Sequence, residues 1–429
     1  MSVPVLVAVP GAAEATLVAA WEAVRRDVVV VRRCADLAEV LGAAQAGLAR
    51  AAVLGADLPG SDVEAVELLR RHGVGLVVLV PAGTAGEAAE RRWRQLGALR
   101  FARASDPPED VARLVTAAVE DLSAATTAAA GAAPPGAPRA GAVPEDCPAP
   151  GRTAVVWGPH GSSGRTTVAV NAAAELARDG AQVLLVDADT RGAGVGQALG
   201  LLDEAPGLLA AVRAAADGRL DTATLHGHAP SVLPDLAVLT GSPDPARWAE
   251  VRPAALRRVL AVAAAAFDWV VVDVAGGLDD PQDPRGRDAA TVVALEAADA
   301  VVHVGAADPV GLQRWVRSWA LLQEVAPATP ALPVVSRVRA SAVGSPPARR
   351  ITSALRRFAG VEDALLLPED VAADTALLAG RALAEVAARS PLHRAVRELA
   401  LRLEERVDAP VDPVEEAVRG GFDPLLARS

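Results

Sequence analysis

Short runs of β-branched and apolar residues punctuate the first 123 residues, at Val3–Val9, Val28–Arg32, Ala51–Gly55, Gly75–Val80 and Leu99–Ala102. Between them apolar positions return every three or four residues, as in Glu64–Arg71 and Glu87–Leu96. That is the period of a helix with one buried face. Five such strand–helix units predict a parallel sheet covered on both faces. Further along the chain the alternation resumes. Thr153–Trp157, Gln182–Val186, Leu236–Leu239, Trp269–Val272, Ala300–Val304 and Ala331–Val335 read as strands, and Val168–Ala177 and Val251–Phe267 as helices. These strands are almost continuously apolar, as expected of a second parallel sheet buried on both sides.

The interruption at 124–152 is mostly Ala, Pro, Gly and Thr. Such a composition cannot bury a core and predicts a disordered linker. It divides the 429 residues into a unit at 1–123 and a unit at 153–407, with an acidic tail at 408–429. The expected fold class is α/β, with two doubly wound parallel-sheet domains.

Composition narrows the chemistry. A 52% hydrophobic content excludes global disorder, and a net charge of −11 argues against a globally basic nucleic-acid binder. Cys34 and Cys147 are too few and too far apart for a metal pattern or a disulfide framework, which fits a reducing cytosol. The first arginine is Arg25, so no basic stretch precedes the apolar run at Val3 as a signal peptide requires. No uncharged apolar run reaches the ~20 residues of a membrane span. The expectation is a soluble, cytoplasmic protein. The chain contains no lysine, so all 42 of its Lys+Arg cations are arginine. No step here can use a lysine amine.

The segment Gly158–Thr167, GPHGSSGRTT, lies between a predicted strand and a predicted helix. Backbone N–H groups and a helix N-terminus bind phosphate in that setting. The strict phosphate-loop pattern G-x-x-x-x-G-K-[ST] is altered. Pro159, which has no N–H, takes the first glycine position, and Arg165 stands in place of lysine, while Thr166 keeps the hydroxyl. The pattern alone leaves a phosphate loop and an ordinary Gly/Ser turn both open. Two further segments, Val183–Leu201 and Asp268–Gly277, each put an Asp at the end of an apolar strand. Carboxylates there point into the crevice where nucleotides and Mg²⁺ bind.

With these segments, residues 152–406 resemble the MinD/ParA family of deviant Walker ATPases. The likeness extends through PGLL at Pro206–Leu209, DLAVLTG at Asp235–Gly241 and Ala298–Arg317, and Leu367–Ala400 looks like the family's closing helices. The first unit resembles a response-regulator receiver. Val9-Pro10-Gly11 replaces the acidic pair that would hold Mg²⁺, and Asp57 reads as a loop residue before a turn. The resemblance therefore implies a pseudo-receiver, used for docking or dimerisation. The two together resemble the CpaE/TadZ branch of the family, associated with Flp/Tad pilus and secretion assembly; MinD-like septum-site proteins look similar.

The resemblance implies ATP and Mg²⁺ as cofactors. It implies phosphate contacts from His160, Gly161, Ser162, Ser163, Gly164, Arg165, Thr166 and Thr167, and an adenine contact from Arg337, beside which Ser336 replaces the family's Asn. Thr166, Asp187 and Asp273 would serve the metal. Asp189 would orient the attacking water, and Arg165 would stabilise charge on the phosphates. Two family lysines are missing: His160 aligns with the one that reaches across the nucleotide-bound dimer, and Arg165 with the other. Arg keeps the charge in a larger, planar group, so hydrolysis is expected to be weak or lost. The resemblance further implies a homodimer and protein partners in a pilus, secretion or division complex, with polar or septal placement through them.

Four other features of the sequence bear on function. Arg349/Arg350 and Arg356/Arg357 are seven apart and share a helix face. A solvated face is preferred to a nucleic-acid contact. His226 and His228 read as surface loop residues, and Trp315 and Trp319, spaced i, i+4, as packing residues. The tail lacks a basic amphipathic helix, so no direct membrane anchor is expected.

Overall fold

A computed structural model describes residues 2–24, 27–131, 150–161, 164–201 and 205–408. The first unit runs β1 (Val3–Ala8), α1 (Ala12–Val24), β2 (Val28–Arg33), α2 (Leu37–Gln45), β3 (Ala51–Gly55), α3 (Val63–Arg71), β4 (Gly75–Val80), α4 (Thr84–Leu96), β5 (Arg100–Arg103) and α5 (Pro108–Gly131). Its five strands pair in parallel in the order β2-β1-β3-β4-β5. Each strand expected from the sequence is present within a residue or so at either end. Asp57 lies exposed in the turn after β3. The stretch expected as a linker begins inside α5, which continues to Gly131; residues 132–149, with Cys147, lie outside the described residues.

The second unit opens with β6 (Arg152–Trp157), α6 (Arg165–Arg178), β7 (Val183–Ala188), α7 (Val195–Ala198), α8 (Gly207–Ala216), α9 (Thr222–His228), β8 (Ser231–Leu233) and β9 (Leu236–Leu239). A 3₁₀ turn at Pro245–Glu250 leads to α10 (Pro253–Ala266), β10 (Trp269–Val274), α11 (Ala289–Glu296), β11 (Ala300–Ala306), α12 (Pro309–Val325) and β12 (Ala331–Val338). The chain closes with α13 (Ala340–Val343), α14 (Pro347–Ala359), β13 (Leu365–Pro368), α15 (Ala372–Ala379), α16 (Leu383–Val386) and α17 (Pro391–Asp408). Eight strands form one sheet in the order β13-β12-β11-β6-β10-β7-β9-β8, parallel except for the short β8 edge.

Two expectations change, and one strand is new. The closing segment from Leu367 begins inside strand β13, not in a helix, because Leu365, Leu366 and Pro368 pair with β12. His226 and His228 sit on α9 rather than in a loop, and the His226 ring packs 4.9 Å from Phe267. The edge strand β8 was not anticipated; three residues are too few to show a period. The tail beyond Asp408 lies outside the described residues.

Continuous burial of β6, β7, β10 and β11 follows from their Val/Leu/Ala runs, which meet helices on both faces. Trp315 is fully buried, stacked on Trp319 at 5.1 Å, and its Nε1 donates to the Val334 carbonyl at 3.0 Å. His303 fills the same cluster, 4.7 Å from Trp315, with Nε2 2.8 Å from Ser318 Oγ. Burial pulls its pKa down to about 3, so the ring is neutral. Among the described residues no helix is long and apolar enough to cross a membrane.

The two sheets are joined through helices. Buried apolar residues of α3 and α4 belong to one cluster with those of α8 and α10. Glu64 Oε1 accepts from the Ala254 and Ala255 amides at 2.8 and 3.3 Å, capping the start of α10 from the other unit. Asp62 caps its own helix α3 through Ala65 N and receives Arg252 at 2.7 Å. Gly218 meets α4 closely: a Cβ there would lie 2.7 Å from the Arg92 carbonyl oxygen.

Candidate functional site: a phosphate loop beside strand-end aspartates

In a parallel sheet every strand ends on the same side, so the loops after β6, β7 and β10 converge. β10 lies between β6 and β7, which puts the Gly158–Gly164 loop beside two acidic strand ends. The loop is held close. A Cβ on Gly158 would sit 2.0 Å from the Val304 carbonyl oxygen, and the Gly277 amide donates to Gly158 O at 2.8 Å. Gly161 and Gly164 take φ of 100° and 81°, a conformation that favours glycine. Gly164 is the N-cap of α6 and supplies no side chain to its first amides. Those N–H groups and the helix dipole are therefore directed at whatever sits in the loop.

Arg165, Thr166, Asp187, Asp189 and Asp273 are brought together. Thr166 Oγ1 donates to Asp273 Oδ2 at 2.6 Å. Arg165 Nη1 reaches back to the Pro159 and Gly161 carbonyls at 2.9 and 3.3 Å, and its Nη2 lies 3.9 Å from Asp189 Oδ2. The guanidinium thus lies over the loop with only 14% of its side chain exposed, against Gly276, where a Cβ would come within 2.5 Å of it. Asp189 Oδ1 accepts from the Arg191 and Gly192 amides, which fixes the loop after β7.

Asp187 and Asp273 are each 1% exposed. Burial pushes the Asp187 carboxyl up to about 7, against the amides of Val195 and Asp189 that favour its charge. Burial and the neighbouring Asp187 charge likewise raise Asp273 well above the usual carboxylate range. Two buried carboxyls side by side hold on to a proton unless a cation joins them.

Among the described residues no three His, Cys, Asp or Glu side chains group to hold a metal by themselves. Mg²⁺ needs less from the protein, taking one or two carboxylates together with phosphate oxygens and water. Thr166 Oγ1 and Asp273 fit that role, since Asp273 Oδ1 is buried with no hydrogen-bond partner. The N-terminus of α6, where Gly164 supplies no side-chain cap, and the Arg165 guanidinium suit the phosphates of a nucleotide. When bound, the metal would offset phosphate charge.

The remaining expected residues are placed as follows. Thr167 is in the first turn of α6, its carbonyl accepting from Asn171 Nδ2 at 2.7 Å. Asn171 Oδ1 accepts from Leu383 N, so this asparagine ties α6 to α16. Ser162 and Ser163 lie outside the described residues. Arg337 is exposed with φ 55°; it follows Ser336, whose Oγ lies 3.5 Å from the Cβ position of Gly164. His160 Nε2 is 3.0 Å from Asp279 Oδ1, and the ring packs on Gly277. The exposed arginines of α14 make no ion pair among the described residues.

Sequence reasoning missed Arg191, Asp279 and Asp288. Arg191 Nη2 contacts Asp279 Oδ2 at 2.9 Å and Asp288 Oδ1 at 2.6 Å, and Asp288 Oδ2 accepts from the Asp279 and Asp280 amides. Burial works against Asp288 ionising, but the Asp280 amide, Arg191 and the Asp279 amide outweigh it and hold its pKa low. His160 and Arg191 likewise hold Asp279 low. The signal available was the acid pair Asp279-Asp280 following Gly276-Gly277.

Among curated proteins none matches the chain. In fold it is similar to the cell division ATPase MinD of Pyrococcus furiosus, at 22% identity and TM-score 0.49, covering 59% of this chain and 99% of that one. It is similar to the septum site-determining protein MinD of Pyrococcus horikoshii complexed with Mg-ADP, at 19% identity and TM-score 0.48, covering 59% and 96%. A ParA family ATPase from Chlorobium tepidum is similar at 20% identity and TM-score 0.48, covering 58% and 98%. Residues 151–321, which carry the Gly158–Thr167 loop and all three strand-end aspartates, match the AAA domain family model AAA_31.

Proposed function

We propose that the chain is a MinD/ParA-type spatial regulator of the CpaE/TadZ kind: a pseudo-receiver joined to a nucleotide-binding domain that responds to Mg-ATP by dimerising. It would place or regulate a pilus, secretion or septum-site assembly through protein partners. The observation that carries the nucleotide part is the 2.6 Å bond from Thr166 Oγ1 to Asp273 Oδ2 at the N-terminus of α6. It joins a loop hydroxyl to a strand-end carboxylate where Mg²⁺ and phosphate are read together.

Hydrolysis is weak or absent in this reading. Arg165 is engaged with its own loop carbonyls, and His160, aligned with the family's cross-dimer lysine, is tied to Asp279 of the same chain. Those two contacts equally favour a second reading, a scaffold that needs no nucleotide. Sizing the full chain with and without Mg-ATP, beside a steady-state hydrolysis assay, separates them. A nucleotide-dependent shift in mass supports the switch. A chain that neither binds Mg-ATP nor changes mass is the scaffold.

A further inference from the structure

We infer that Arg191 and the His160 ring form a subsite for the terminal phosphate of a nucleoside triphosphate, and that the Asp279 carboxylate fills this subsite until the nucleotide arrives. The inference rests on the nucleotide-binding reading above and gives that site a way to tell triphosphate from diphosphate.

Asp279 uses both oxygens on two donors from two different loops. Oδ1 faces His160 Nε2 at 3.0 Å and Oδ2 faces Arg191 Nη2 at 2.9 Å. An ionised carboxylate only accepts, so the ring nitrogen facing it carries the hydrogen. Both donors border the phosphate cradle. His160 is in the phosphate loop itself. Arg191 is joined to the cradle through Asp189, which accepts from its amide at 2.8 Å and lies 3.9 Å from the Arg165 guanidinium. The loop that carries Asp279 closes the same space: Gly276 lies against Arg165 and Gly277 against His160.

The two aspartates that grip Arg191 differ in kind. Asp288 is buried, with 3% of its side chain exposed, and also receives two backbone amides. It positions the guanidinium permanently. The Asp279 side chain is 64% exposed and has no backbone donor holding its carboxylate. Water readily takes it up when its partners leave, so its exchange for another anion costs little. A terminal phosphate offers more charge and more acceptor oxygens than a carboxylate. In this proposal a diphosphate, one phosphate shorter, leaves Asp279 in place. The electrostatics favour such an exchange. Asp187, Asp189, Asp273, Asp279 and Asp288 gather around Arg165 and Arg191 at this face, so a polyanion enters more readily if a carboxylate withdraws.

The test is equilibrium binding of Mg-ATP and Mg-ADP to the full chain and to Asp279→Asn, Arg191→Gln and the double variant, with the fold of each checked by thermal melting. Asp279→Asn is isosteric at an exposed position, so it serves even if Arg191→Gln melts early. The expected result is an ATP-over-ADP preference raised about threefold or more by Asp279→Asn and lowered by Arg191→Gln. The Asp279→Asn gain should vanish in the double variant. Wild-type binding of both nucleotides with an unchanged preference in Asp279→Asn would overturn the subsite alone. A gain from Asp279→Asn that persists without Arg191 would overturn it too. A wild-type chain that binds neither nucleotide would overturn the nucleotide-binding reading itself, and the subsite with it.

Discussion

Asp187 and Asp273 stand opposite one another as register partners on the adjacent parallel strands β7 and β10, both almost fully buried. Their folded pKa values lie above that of an exposed aspartate, 3.8. The folded chain therefore keeps protons that the unfolded chain releases. This contribution to stability is fully present below about pH 4 and is lost as pH rises towards about 7. Replacing Asp187 with Asn should stabilise the nucleotide-free chain near neutral pH and flatten that slope. Denaturant melts across this range, wild type against variant, check it; parallel slopes would rule out the shared-proton account.

His303 titrates with the opposite sign. Its pKa is lowered from 6.5 to about 3 by burial, so the unfolded chain takes up a proton that the folded chain refuses. That contribution is complete above pH 6.5 and falls away as pH drops through the window down to about 3. His303→Gln should show a shallower acid limb than wild type, although it loses aromatic packing against Trp315. The readout is the slope of stability against pH, not its absolute value.

Thr166→Ala removes the hydroxyl at 2.6 Å from Asp273 Oδ2. The expected outcome is a clear loss of Mg-dependent nucleotide affinity, with binding measured in chelator changing much less. Equal losses with and without Mg²⁺ would place Thr166 outside the metal site.

The contact between the two sheets is testable by its caps. Glu64→Ala removes the carboxylate that receives the Ala254 and Ala255 amides and should cost about 1 kcal/mol, the usual worth of an N-cap. Gly218→Ala should cost more. Its φ is 66°, and the new methyl would meet the Arg92 carbonyl oxygen at 2.7 Å. Small-angle scattering should then show a longer particle, and an unchanged profile would mean that the two units meet elsewhere.

In the core of the second unit, Trp315→Ala should cost about 3–5 kcal/mol. It empties a fully buried site and leaves the Val334 carbonyl without its donor. Calorimetric melting checks it.

Much of this protein follows from sequence period alone. The apolar runs at Val5–Val9 or Leu184–Val186 can satisfy their hydrophobicity only in the middle of a sheet, so both parallel sheets were legible. The strand-to-helix turn ending at Gly164, Arg165 and Thr166 was also legible, because a glycine-rich turn is a local pattern. Other features depend on contacts between residues far apart in the chain. β13 became a strand only because β12 offered it an edge. Residues 160, 191, 279 and 288 carry no common motif, and only the convergence of strand ends makes them one charge network. Glu64 reads as the first residue of an amphipathic helix, and its use as a cap for α10, 190 residues away, is set by tertiary packing. Periodicity reports which face of an element is buried, whereas the partner across that face is chosen by the whole chain.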